Sequence, residues 1–190
     1  ADDYAKCFAL LYDVVDYFAV NVSCPNISGL EKLQDHDSLR EILDRIMKIR
    51  DEKQIRKPVF LKISPDLCLS QVDETIALYD EVGLDGIIAT NTTTNRSDLK
   101  TSEKTVSAIG SGGLSGNPLK YKTLEMIRYI CKQSNNRIPI IGVGGIITAD
   151  DAIELVQAGA SLVQVYTGFV YDGPFIVKRI NKAITQLLAS

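Results

Sequence analysis

Five short apolar runs rich in β-branched residues alternate along this chain with longer stretches of helical spacing, and that alternation restricts the fold to a small set. Residues 2 to 13 read as a helix with Tyr4, Phe8 and Leu11 on one face, followed by a strand at about 16 to 22. A second helix opens at Asp37 or Ser38 and runs to about Lys53, with Leu39, Ile42, Leu43, Ile46 and Ile49 at helical intervals. Pro58 to Ile63 is the next strand, and Ser70 caps a helix through Val82 that Gly83 stops in the left-handed conformation. Gly86 to Thr90 is the third strand. The polar, glycine-rich stretch from Asn91 to Gly116 is too long for a plain connection, which assigns it a functional role. Pro118 starts a helix to about Lys132, and Ile138 to Val143 is the fourth strand. Thr148 caps a helix ending at Gly159, Leu162 to Tyr166 is the fifth strand, and about Gly173 to Leu188 forms a closing helix.

Strands separated by helices require right-handed crossovers and a parallel sheet. The candidates are a doubly wound sheet and part of a barrel. Gly142-Val143-Gly144-Gly145 follows a strand, but its glycine spacing is not that of the dinucleotide fingerprint, and no acidic ribose contact follows at the right distance. A barrel fits better. Five strand-helix units occupy all 190 residues, so eight would need roughly 300, within the range of the (β/α)8 fold. The sequence is therefore expected to be an α/β segment of a TIM barrel.

Composition removes several functions. A net charge of −3 and a pI near 5.2 give no basic footprint for nucleic acid. Cys7, Cys24, Cys68 and Cys131 form no close pair, against a zinc knuckle, a dithiol motif or a disulfide framework, and in keeping with a reducing, intracellular setting. The single histidine, His36, lies in a polar run whose chemistry is that of a helix start, and no metal site is expected. No apolar run approaches the roughly 20 residues of a spanning helix, and the first residues lack the order of a signal peptide, so the segment reads as soluble.

The strand ends carry the chemistry. Asn21-Val22-Ser23-Cys24-Pro25-Asn26 gathers two carboxamides, a hydroxyl and a thiol where the first strand stops. In a parallel α/β protein that is where ligands are held, and a thiol there can act as base or nucleophile; the alternative is a turn around an inert, buried cysteine. Lys62 lies inside an apolar strand, where a charge is costly unless it meets an anion or an electron-rich ring; the alternative is a lysine reaching out to solvent. Asn91 and Thr92 end the third strand as hydrogen-bonding partners for a planar polar ligand or as a simple polar turn. The glycine turn after the fourth strand, feeding the Thr148-capped helix, and Tyr166-Thr167-Gly168 after the fifth offer N–H groups to a phosphate. If these are the seventh and eighth strands of a barrel, where phosphates commonly bind, the first strand here is the fourth.

Six motifs in order then resemble dihydroorotate dehydrogenase: the Asn21 to Asn26 run with Ser28-Gly29-Leu30 and Leu33-Gln34; Lys62-Ile63-Ser64-Pro65-Asp66; Thr90-Asn91-Thr92-Thr93; Gly112-Gly113-Leu114-Ser115-Gly116; Pro139 to Gly145; and Gly159 to Thr167. The resemblance implies a barrel that uses flavin mononucleotide (FMN) to oxidise dihydroorotate to orotate in pyrimidine synthesis. It implies that Cys24 is the catalytic base and that Asn21, Asn26, Asn91 and Thr92 hold the pyrimidine. It places Lys62 beside the flavin ring with Thr90, gives Asn21 a flavin contact as well, and puts Ser115, Gly116, Gly145, Tyr166 and Thr167 at phosphate-binding positions.

The body of the chain resembles the membrane-associated, quinone-reducing class 2, whose parent enzymes would sit peripherally on the cytoplasmic face of the inner membrane. Cys at the base position is instead typical of the soluble, fumarate-reducing class 1, where class 2 usually has Ser. The family's amino-terminal strands and the class 2 helical extension have no counterpart in this sequence. Residues 1–190 are accordingly expected to form a partial flavin-binding barrel domain, about strands 4 to 8, inactive alone. Its open sheet edge would need covering by the rest of the barrel or by a second chain. A non-catalytic phosphate-binding half-barrel is the remaining alternative.

Overall fold

The computed structural model describes residues 1–23, 36–97 and 99–189. Five parallel strands, β1 (Phe18–Asn21), β2 (Val59–Ile63), β3 (Gly86–Ala89), β4 (Ile140–Val143) and β5 (Leu162–Gln164), form one sheet in the order β1-β2-β3-β4-β5. Each strand pairs only with its neighbours in sequence. A doubly wound sheet reverses its order at a switch point, whereas this one never does, and that is the arrangement of a barrel wall.

The helices are α1 (Asp2–Leu11), α2 (His36–Asp51), α3 (Leu69–Val82), α4 (Glu103–Ile109), α5 (Lys120–Gln133), α6 (Ala149–Gln157), α7 (Thr167–Asp172) and α8 (Phe175–Ala189). Contacts run from α1 to α2 to α3 to α5 to α6 to α8, a continuous row along the sheet. The strand face beneath them is fully apolar: Val20, Val59, Leu61, Ile63, Ile87 and Ile140 are buried, each by 4% exposure or less. Burying one such side chain contributes about 1.5 to 3 kcal/mol, which makes this layer the main source of stability.

Side chains alternate across a strand, so the opposite face carries a different set: Ala19 and Asn21, Phe60 and Lys62, Ile88, Ile141 and Val143, Leu162 and Gln164. Gly86 leaves space for the Phe60 ring, since a Cβ there would stand 2.6 Å from Phe60 Cε1. Polar groups on this face cluster toward the carboxyl ends of the strands.

Several elements differ from the sequence reading. On α1 the inward face is Tyr4, Phe8 and Tyr12, with Leu11 turned outward, because Tyr12 packs edge-on against Phe8 and its hydroxyl donates to the Ile55 carbonyl at 2.8 Å. Cys68, not Ser70, caps α3: its N–H donates to Gln71 Oε1 at 3.0 Å and its sulfur accepts in return. Gly83 ends α3 in the left-handed conformation as expected, at φ 71°. α4 and α7 were not anticipated. Neither buries a large apolar side chain, so neither leaves an apolar period in the sequence.

At the other end of the sheet, buried Arg50 donates to Asp85 Oδ2 at 3.1 Å and to the Gly83 carbonyl at 3.2 Å. Asp85 also accepts from the Val59 N–H at 2.9 Å and pairs with Arg56. This ion cluster joins α2 to the starts of β2 and β3, away from the polar strand ends.

Candidate active site

The polar cluster begins where β1 stops. Asn21 stands beside Lys62 in the ladder, and the Tyr4 hydroxyl of α1 donates to the Asn21 carbonyl at 2.9 Å. Ser23, 3% exposed, donates its hydroxyl to the Lys62 carbonyl at 3.1 Å and accepts from Asn91 Nδ2 at 3.0 Å. Asn91 Nδ2 also reaches Asn21 Oδ1 at 3.1 Å, while Asn91 Oδ1 accepts the Thr92 N–H at 2.9 Å. Two strands separated in the sheet by β2 are thus tied by amides across it. Ser23 was not singled out in the sequence, although it lies in the same hexapeptide. Cys24 and Asn26 fall outside the described residues.

Next to this cluster a cavity of about 600 Å³ opens over the strand ends. Lys62, Thr90, Asn91, Thr92, Ser115, Gly116, Gly145, Tyr166 and Thr167 all line it, so every one of these expected positions meets in one space. Asn21 is not part of the lining and acts on it through Asn91. The sequence reading missed Tyr17, Leu119, Ile146, Gln164 and Val165, whose apolar or single polar positions in the lining carry no motif. The volume suits a medium-sized organic ligand.

Electrostatics favour an anionic or electron-rich guest. Lys62 is half-buried, and loss of solvent pulls its pKa below the ordinary lysine value. Among the described residues no carboxylate pairs with it, so an ammonium faces the cavity with its charge uncompensated. Thr90, 2% exposed, shares a buried contact of 3.2 Å with the Thr123 hydroxyl, and the peptide between Ala89 and Thr90 is cis.

The far end of the cavity exposes backbone to close approach by a ligand. The N–H groups of Ser115, Gly116, Gly144, Gly145 and Thr167 make no backbone hydrogen bond among the described residues. Gly145, at φ 81°, lies so near α5 that a Cβ would stand 2.4 Å from Lys120 Cα. The Thr167 hydroxyl donates to Ser115 Oγ at 3.0 Å and so joins two of these loops.

One expected source of donors is partly engaged within the protein. Thr148 does cap α6, but Asp151 Oδ2 takes the N–H groups of Ile147 and Thr148 at 3.0 and 2.7 Å. Lys120 Nζ then binds Asp151 at 2.6 Å and Glu154 at 2.9 Å. The Ile147 and Thr148 N–H groups are therefore already engaged, and the glycine turn and the Ser115 and Thr167 loops are the donors that line the cavity.

Two carboxylates brace this end of the sheet. Burial raises the pKa of Asp151 and of Asp66, but hydrogen bonds outweigh it: Lys120, Ile147 and Thr148 at Asp151, and Lys122, Thr93 and Thr94 at Asp66, leave both below the ordinary 3.8. A depressed folded pKa stabilises above the unfolded value and is lost as pH falls through the folded one. Urea midpoints are expected to hold steady from neutral pH to about 5 and to drop below about 4, with a shallower acid slope in Asp66→Asn.

The family model for dihydroorotate dehydrogenase matches residues 1–188. The chain belongs to the dihydroorotate dehydrogenase family. A quinone-type dihydroorotate dehydrogenase of Christiangramia forsetii is 48% identical over 185 residues, covering 97% of this chain and 53% of that protein. One of Trichormus variabilis is 49% identical over 193 residues, covering all of this chain and 50% of that protein. The crystal structure of the Eimeria tenella enzyme in complex with ferulenol superimposes with a TM-score of 0.89 at 33% identity, over 99% of this chain and 54% of that one. The chain thus spans about half the length of the relatives it matches. Its five parallel strands correspond to half of the family's barrel.

Proposed function

We propose that this chain contributes the pyrimidine-facing and phosphate-facing strand ends of a quinone-type dihydroorotate dehydrogenase that uses FMN. The observation that carries this is the convergence on one cavity of an uncompensated Lys62 ammonium and unpaired N–H groups from three loops. FMN, when bound, supplies the acceptor for the hydride that leaves C6 of dihydroorotate. Ser115, Gly116, Gly145, Tyr166 and Thr167 would hold its phosphate, and Thr90 and Lys62 would serve its ring, where the lysine's positive charge would favour the negative charge that reduction develops. Asn21, Asn26, Asn91 and Thr92 orient the pyrimidine. Cys24 takes the proton from C5, so that the C5–C6 double bond of orotate forms as hydride departs.

The relatives' quinone-type names support quinone as the final electron acceptor and a peripheral place at the membrane; among the described residues no helix is long and apolar enough to cross one. Residues 1–190 then act as a partial flavin-binding domain completed by further strands, which also cover the free side of β1. A second reading rests on Cys24, the residue typical of the fumarate-reducing class. Two measurements on the protein expressed from its complete reading frame decide. Flavin absorbance is expected on purification or after adding FMN, and a colourless protein that binds none refutes the proposal. Quinone reduction without fumarate reduction is expected, and the reverse establishes the class 1 reading.

A further inference from the structure

We propose that Asp66 is a positioning residue that holds the Asn91–Thr92 step and the Ser115–Gly116 turn in one register. The proposal rests on the reading of the cavity as a flavin and pyrimidine site. Asp66 does not line that cavity, so it acts through other residues.

Asp66 follows β2 in a turn fixed by its own N–H, which donates to Ser64 Oγ at 3.1 Å. Its carboxylate then collects four donors from two other segments. Oδ1 accepts from the Thr93 hydroxyl at 2.5 Å and from Lys122 Nζ at 2.8 Å. Oδ2 accepts from the Thr94 N–H at 2.8 Å and the Thr94 hydroxyl at 3.1 Å. An ionised carboxylate offers about four acceptor sites, and all are used. A carboxamide would set its NH₂ against two of these donors.

The partner that matters is Thr93, 2% exposed and next in sequence to Thr92. Its backbone forms an antiparallel bridge with Leu114: Thr93 N–H donates to the Leu114 carbonyl at 3.1 Å, and Leu114 N–H returns a bond at 2.8 Å. Leu114 immediately precedes Ser115. The carboxylate therefore sits one residue from the pyrimidine-facing pair and, across one bridge, one residue from the phosphate-facing pair. Arg96 reinforces the bridge by donating to the Thr93 and Gly112 carbonyls. Lys122 anchors the assembly to α5, whose first residue Gly145 nearly touches.

The test uses Asp66→Asn and Asp66→Ala in the protein expressed from its complete reading frame and loaded with FMN. Asn91 and Thr92 hold substrate and transition state alike, so the effect is expected in KM. The KM for dihydroorotate is expected to rise about tenfold in Asp66→Ala and less in Asp66→Asn, with kcat within about threefold of wild type. Amide hydrogen exchange in both variants is expected to quicken at Thr94 and also at Leu114. Unchanged KM, or faster exchange at Thr94 with Leu114 and Gly116 at wild-type rates, overturns the proposal. Should Asp66→Ala not fold, Asp66→Asn carries both readouts. A wild-type protein that binds no FMN defeats the reading of the cavity, and the exchange measurement then decides on the register alone.

Discussion

Replacing Cys24 by Ala is expected to lower dihydroorotate oxidation by about 10²- to 10⁴-fold, the contribution of a positioned general base, while FMN remains bound. Retention of flavin follows from the division of labour at the strand ends. On the proposed function, Ser115, Gly116, Gly145 and Thr167 hold the phosphate and Thr90 and Lys62 serve the ring, all of them lining the cavity, while Cys24 is assigned only the proton. A thiol also has a far lower pKa than a serine hydroxyl, whose proton is held much more tightly. Cys24→Ser is accordingly expected to keep part of the activity with its pH profile moved upward. Steady-state rates with flavin occupancy read from absorbance check both variants; full activity in Cys24→Ala removes the base role.

Gly145→Ala is expected to be the most damaging small substitution in the glycine turn. An alanine at φ 81° costs about 1 to 2 kcal/mol for the left-handed backbone. Its Cβ would also stand 2.4 Å from Lys120 Cα and 2.5 Å from Lys120 N, both main-chain atoms that no rotamer change can move aside. Overpacking of this kind adds about 1 to 3 kcal/mol. The start of α5 has to shift, and Leu119, which lines the cavity, shifts with it. FMN affinity is expected to fall by more than about tenfold, with Tm lowered by roughly 5 to 15 °C. Gly110→Ala is the control: the same region of φ, at 92°, but with nothing within 4 Å of the new Cβ. Fluorescence titration with FMN and thermal melts separate the two, and unchanged affinity in Gly145→Ala refutes the cradle.

Much of this was legible in the sequence because strands buried against helices leave β-branched runs and strand ends leave polar ones. All five strands were found, although each came out shorter in the structure, since residues such as Ile138 and Tyr166 flank the ladder and Pro58 joins it only through its carbonyl, which accepts the Phe18 N–H. The polar strand ends and the family resemblance together named residues that line one cavity, Lys62, Thr90 and the Ser115, Gly145 and Thr167 loops, from four separate strand ends. What escaped depended on geometry. The capture of the Ile147 and Thr148 N–H groups by Asp151, the bonding of Ser23 to the Lys62 carbonyl and the reach of Asp66 to Thr93 and Thr94 are side-chain choices with no periodicity. α4 escaped for a simpler reason: its Ser102 cap was readable, but a seven-residue helix with no buried side chain lacks an apolar signal.

The sequential strand order has a consequence for how such a site can be taken apart. Since each strand bonds only to its chain neighbours, the sheet is a linear array, and the groups lining the cavity are distributed along it: the Lys62 ammonium at the β2 end, Asn91 and the Ser115–Gly116 turn in the connection after β3, and the glycine turn and Thr167 loop at the β4 and β5 ends. A change in the β4 or β5 unit therefore reaches the glycine turn or the Thr167 loop without touching the β1–β2 ladder, whereas a change in the connection after β3 reaches both ends of the cavity at once. On the proposed function, affinity for the phosphate is then adjustable from the β4 and β5 units alone, while the β3 connection is the one place where it is coupled to affinity for the pyrimidine.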